Sequence, residues 1–179
     1  FVLVVAGGVA VWDTLFGSWG NAVASAIYLV ALLIEVLWMP KRQARLLANA
    51  DLHVTLLRAV RLLGLGTDSI VRVDTDGEGS MRPGALRAAL AAGDGPTIVC
   101  AQAGNVGSGT VDPMTAICAA AHHRPAQPPA WVHVDGAFGL WAAASPALRH
   151  LCAGVDEADS WAVDAHKWLN VPYDTGIAI

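Results

Sequence analysis

Charge is scarce in this chain: Lys, Arg, Asp and Glu make up 15% of its 179 residues, against 55% hydrophobic, with a net charge of −4. So little basic surface argues against a general attraction to nucleic acid or anionic lipid, and so much apolar content argues against disorder. Small molecules are the expected partners. Cysteine is scarce too. Cys100, Cys118 and Cys152 form neither a paired framework nor a CxxC motif, and their apolar surroundings predict reduced, buried thiols and a cytoplasmic setting. The sequence has no HExxH, GxSxG, GxGxxG or P-loop spacing, and His122-His123 has no third ligand nearby. Zinc peptidase, serine hydrolase and nucleotide sites are therefore unsupported, and no metal is expected.

One long apolar run is present, Ala22 to Met39, broken by Glu35 and followed by Pro40, Lys41 and Arg42. It lies near the lower length limit for a membrane span, but a buried helix explains it better. It is too far from the start, and lacks the basic lead and cleavage site, to be a signal peptide. Val2 to Val5 reads as a strand ending at Gly7-Gly8, whereas Trp12 to Gly20 has no clean period. The expected division is a divergent segment over 1–48 and a core over 49–179, with both ends reading as cut from a longer protein.

Beyond residue 50, short apolar runs alternate with amphipathic ones. Ile70 to Val73, Thr97 to Ala101, Trp131 to Val134 and Trp161 to Val163 read as buried strands. Thr55 to Leu63, Pro83 to Ala91, Pro113 to Ala121 and Pro146 to Leu151 read as helices, three with proline at the first position, and Asp112 and Ser145 as N-caps. This alternation predicts an α/β fold with a mainly parallel sheet, helices on both faces, and ligands beyond the carboxyl ends of the strands.

Asp135 and Lys167 fall at or just after two such ends. A lysine between apolar strand residues and Trp168 suits Schiff-base chemistry, and a carboxylate at a neighbouring strand end suits a pyridinium nitrogen; together they suggest pyridoxal 5'-phosphate. Taken alone, His166-Lys167 also fits an ordinary strand end, and Asp135 also fits a turn cap. Gly136-Ala137 lets a flat ring approach the backbone. His53, just before a helix, could stack on such a ring or simply open the helix. His133 reads as core or interface. The glycine-rich stretch from Gln102 to Gly109 would bring backbone close to a ligand.

From about Asp51 onward the chain resembles the group II pyridoxal-phosphate-dependent amino-acid decarboxylases. The resemblance is carried by Trp131-Val132-His133-Val134-Asp135-Gly136-Ala137-Phe138-Gly139 and by Ala158-Asp159-Ser160 through Asp164-Ala165-His166-Lys167-Trp168. It implies the large domain of a fold type I enzyme, a lysine aldimine at Lys167, Asp135 on the ring nitrogen, His53 stacked on the ring, Ala137 beneath it and His166 against the cofactor. Asp164 stands where relatives often have asparagine, and Gln102 where many have threonine. The implied reaction is decarboxylation of an L-amino acid to an amine, in a homodimer. A lyase or aldehyde-forming reaction on the same fold, or an inactive remnant, stays open. Upstream of residue 48 the family's Gly-rich phosphate turn with Ser or Thr is replaced by Val5-Ala6-Gly7-Gly8-Val9-Ala10, which has no hydroxyl. A divergent start, a frameshifted reading or a degenerate gene would each produce this.

Overall fold

The computed structural model describes residues 44–173 and 175–179. The strand expected over Val2 to Val5, the apolar run Ala22 to Met39 and the Gly7-Gly8 turn lie outside them. Among the described residues no helix is long and apolar enough to cross a membrane.

Six strands form one sheet: β1 (Arg45–Asn49), β2 (Ile70–Val73), β3 (Thr97–Gln102), β4 (Trp131–Asp135), β5 (Ser160–Asp164) and β6 (Gly176–Ala178). Their spatial order is β2-β1-β3-β4-β5-β6. The first five run parallel, and β6 joins β5 antiparallel. The four helices among the described residues are α1 (Val54–Leu62), α2 (Pro83–Ala91), α3 (Met114–His122) and the single turn α4 (Ala165–Trp168).

The period-2 alternation of a strand decides which helix covers which face. Leu47, Val99, Ala101, Val132 and Val134 pack with Leu86 and Leu90 of α2 and with Met114, Ile117 and Cys118 of α3. The intervening Leu46, Ala48, Ile98 and Cys100 pack with Ala59 and Val60 of α1 on the other face. Every residue of β3 is buried, as a central strand covered on both sides requires.

The four expected strands and the first three expected helices are present, with ends shifted by at most a residue. Strand β1 has no counterpart among the expected elements. The helix expected over Pro146 to Leu151 is instead a 3-10 turn over Arg149–Cys152, because the local bonds close three residues back, Leu151 N–H to Leu148 O and Ala153 N–H to His150 O. Ser145 makes no side-chain cap: its carbonyl accepts from Leu148 and Arg149. Asp112 does not cap α3 either, since Pro113 holds that position and the Asp112 carboxylate turns into the interior. All three cysteines are buried and free.

Candidate active site

The parallel strands deliver polar residues to one rim of the sheet. Gln102 and Asp135 are register partners at the ends of β3 and β4, and Asp164 ends β5 one strand further on. Asp164 leads directly into α4, whose one turn brings Lys167 back over it: Lys167 Nζ lies 2.7 Å from Asp164 Oδ2. Asp164 is 4% exposed, and its Oδ1 has no partner. The Lys167 amine also sits 4.1 Å above the centroid of the Phe138 ring, a cation–π contact.

Asp135 Oδ1 accepts a 3.1 Å bond from Ala137 N–H, so the cap expected of this aspartate is made as well. His53 ends the turn before α1 and caps it: Nδ1 meets Thr55 Oγ1 at 2.9 Å and Thr55 N–H at 3.4 Å. The ring is exposed beside the cleft. His53, Gln102, Asp135, Ala137, Asp164 and Lys167 all line that cleft, joined by Thr55, Gly104, Val106 and Phe138. His166 does not line it. Its Nδ1 faces the backbone of Thr175 at 3.1 Å, its Nε2 lies 3.8 Å from Asp164 Oδ2, and its ring packs edge-on to Tyr173.

Gly104 reaches φ +91°, and a Cβ there would come within 2.8 Å of the Gly139 backbone. Its freedom thus serves a close crossing of two loops, and that crossing seats Phe138 beside Lys167. The glycines after Gln102 were expected to approach a ligand; Gly104 lines the cleft and also crosses its own chain closely.

A second set of buried polar groups, missed by sequence reasoning, fixes the rim from behind. Asp112 accepts from Met81 N–H at 2.7 Å, Gln102 N–H at 2.8 Å and Asn49 Nδ2 at 3.1 Å. Asn49 Oδ1 in turn accepts from Asp51 N–H at 2.7 Å, and the Asp51 carbonyl accepts from the Gln102 and Asn105 side-chain amides at 3.4 and 3.3 Å. Burial pushes the Asp112 carboxyl above its ordinary range, and the bonds from Met81, Gln102 and Asn49 pull the other way. Burial, reinforced by Asp135, pushes the Cys100 thiol up to about 12, so no thiolate serves here. His133 is fully interior, bonded through Nδ1 to Ser160 Oγ at 2.8 Å, and burial pulls it down to about 4. It is a core histidine, as expected.

The polar groups of the cleft are the Lys167 amine, the Asp135 and Asp164 carboxylates, the His53 imidazole, the Thr55 hydroxyl and the buried Gln102 amide. That set fits an aromatic aldehyde with a basic ring nitrogen. With Lys167 drawn onto Asp164 and over Phe138, the cleft encloses only about 40 Å³. The Lys167 side chain is 26% exposed, on a four-carbon stem with several rotatable bonds.

A parallel α/β sheet with these groups on its carboxyl rim defines a class of proteins that bind their ligand at strand ends. The chain belongs to the pyridoxal-dependent decarboxylase family, whose conserved domain it matches over residues 41–179. It is 33% identical over 128 residues to L-tyrosine/L-DOPA decarboxylase 2 of Lophophora williamsii, covering 68% of this chain and 24% of that protein. To the human acidic amino acid decarboxylase GADL1 it is 34% identical over 128 residues, 69% of this chain and 24% of that one. The crystal structure of Oryza sativa TDC with PLP superposes with a TM-score of 0.70 at 29% identity, covering 89% of this chain and 35% of that one. The chain thus spans about a quarter of the length of these curated relatives.

Proposed function

We propose that this chain forms the cofactor-binding core of an amino-acid decarboxylase that holds pyridoxal 5'-phosphate on Lys167. The observation that carries this reading is the convergence of Asp135 and Lys167, from separate strand ends, on one cleft with His53 and Ala137. The family match and relatives named for decarboxylation support it.

In this reading Lys167 is the covalent attachment point. An amine must be unprotonated to attack an aldehyde, so Lys167 would have to leave the ion pair with Asp164 Oδ2, 2.7 Å away, before it could do so. Asp135 would hold a proton on the ring nitrogen, its own carboxylate being oriented by Ala137 N–H. His53, anchored to Thr55, would hold the ring by stacking, and the small Ala137 would leave room for it. Gln102 would supply a polar contact to the cofactor, whereas His166, outside the cleft, would act only through Asp164. When bound, the cofactor supplies a conjugated, positively charged ring that accepts the electron pair released as carbon dioxide leaves. Relatives named for aromatic and for acidic substrates leave the amino acid side chain open.

We also propose a homodimer in the cytoplasm. The exposed Trp168, Leu169 and Tyr173 beside the site support the first, and three free buried cysteines support the second. The test is product analysis of the full chain supplied with pyridoxal phosphate and a panel of amino acids. Amine and carbon dioxide in equal amounts are expected. An aldehyde would redirect the assignment to the aldehyde-forming reaction, and no cofactor uptake would identify a remnant.

A further inference from the structure

One side chain ties two walls of the cleft together without lining it. Asn105 heads a loop that closes on itself: its N–H donates to Thr110 O and its carbonyl accepts from Gly109 N–H, both at 2.8 Å. Its Oδ1 accepts from Gly107 N–H at 2.8 Å and from Ser108 N–H at 3.2 Å. Two backbone donors on one atom fix which way round the amide sits, because only its oxygen can accept from them. The Nδ2 end therefore faces the other way, and both of its hydrogens are used. One goes to Gln102 Oε1 at 3.0 Å and the other to Asp51 O at 3.3 Å.

Those two acceptors belong to separate parts of the site. Gln102 ends β3, is 7% exposed and lines the cleft. Asp51 stands two residues before His53, in the turn between β1 and α1. That turn is held at the Asp51 N–H by Asn49 Oδ1 at 2.7 Å, and at the Asp51 carbonyl by Asn105 and by Gln102 Nε2, the latter at 3.4 Å. Without the Asn105 amide, the buried Gln102 Oε1 would lose its hydrogen bond. A buried amide oxygen left unmet is costly, so Gln102 would turn to recover a partner and give up Asp51. The placement of His53 against Gln102 thus passes through one amide.

We propose that Asn105 is a positioning residue for the cofactor ring, its amide holding the turn that carries His53 against the Gln102 end of β3. The proposal rests on the reading of the cleft given above and adds to it a residue from outside the cleft.

Asn105→Asp separates this role from upkeep of the loop, since the carboxylate still accepts from Gly107 and Ser108 but donates nothing. In the cofactor-free full chain, hydrogen exchange read residue by residue by NMR should quicken about tenfold at the Asp51 and Leu52 N–H groups and stay unchanged at Gly107 and Gly109. With pyridoxal phosphate bound, visible circular dichroism per cofactor should fall about twofold or more in the variant, while borohydride still traps the cofactor on Lys167. Unchanged exchange at Asp51 and Leu52, or an unchanged dichroism band, would overturn the proposal. So would Asn105 side-chain N–H groups that exchange as fast as those of a free asparagine in the unmodified chain, a result that needs no variant to fold. If borohydride traps nothing on Lys167 in the unmodified chain, the reading of Lys167 fails, and the exchange result still decides the role of Asn105.

Discussion

Two buried carboxylates on the carboxyl rim of the sheet differ in how fully they are used. Asp112 behind β1 and β3 has both oxygens taken, by two backbone N–H groups and the Asn49 amide. Asp164 at the end of β5 has one oxygen on the Lys167 amine and the other without a partner. The first arrangement is closed: it ties β1, the Met81 segment and β3 together and has no valence left for chemistry. The second is open, and it holds the amine that lines the cleft. Saturation thus separates the carboxylate that builds the site from the one that can work in it.

Removing the amine tests the open side most severely. Lys167→Ala should lower turnover by a factor on the order of 1,000 or more, read by amine release, since no other amine among the described residues lines the cleft. It should cost less stability than any lesion at Asp112.

Asp112→Ala tests the closed side. It strands the Gln102 and Met81 N–H groups and the Asn49 amide in the interior, and should cost about 3–5 kcal/mol in urea denaturation. Asp112→Asn should cost less, because the amide oxygen still accepts. If Asp112→Ala were no worse than a surface change, the distinction between the two regions would fail.

His133 sharpens the comparison through pH. Burial lowers its folded value to about 4 from 6.5, so its contribution to stability is complete above 6.5 and is lost as pH falls from 6.5 towards 4. The shift corresponds to about 3 kcal/mol at most. Asp112 acts in the opposite direction: a raised carboxyl favours the folded state as pH falls into its range. His133→Asn should therefore flatten the decline in stability between pH 6.5 and 4, measured by denaturation midpoints.

The smallest expected effect is at the open carboxylate. Asp164→Asn removes the ion pair but keeps the side-chain shape, and the rate at which Lys167 is labelled by an amine reagent should rise a few-fold in the cofactor-free chain. An unchanged rate would mean that Asp164 does not restrain the amine.

Much of the fold and the cleft was legible in the sequence, for physical reasons that differ by residue. Asp135 and Lys167 stood out because short apolar runs must be buried strands, and the residues just after such a run arrive at the ligand rim. Strand β1 was missed because two of its five residues, Arg45 and Asn49, are polar and bond sideways to other segments. Asp112 was misread because Asp-Pro ahead of a helix is a common cap pattern, and only the tertiary fold shows its carboxylate turned inward. Phe138 was missed as a partner for Lys167 because that contact depends on the Gly104–Gly139 crossing, which has no local signature. Arg124 lies between the helix expected to end at Ala121 and the strand expected to begin at Trp131, a connection in which a buried guanidinium has no local signature.

The Lys167 amine as the point at which pyridoxal phosphate is held is the claim on which the rest depends. The direct measurement is borohydride reduction of the full chain mixed with pyridoxal phosphate, followed by peptide mass mapping. One pyridoxyl adduct is predicted, on Lys167, absent from Lys167→Ala. An adduct on Lys41, or none on Lys167 after saturating cofactor, would contradict it.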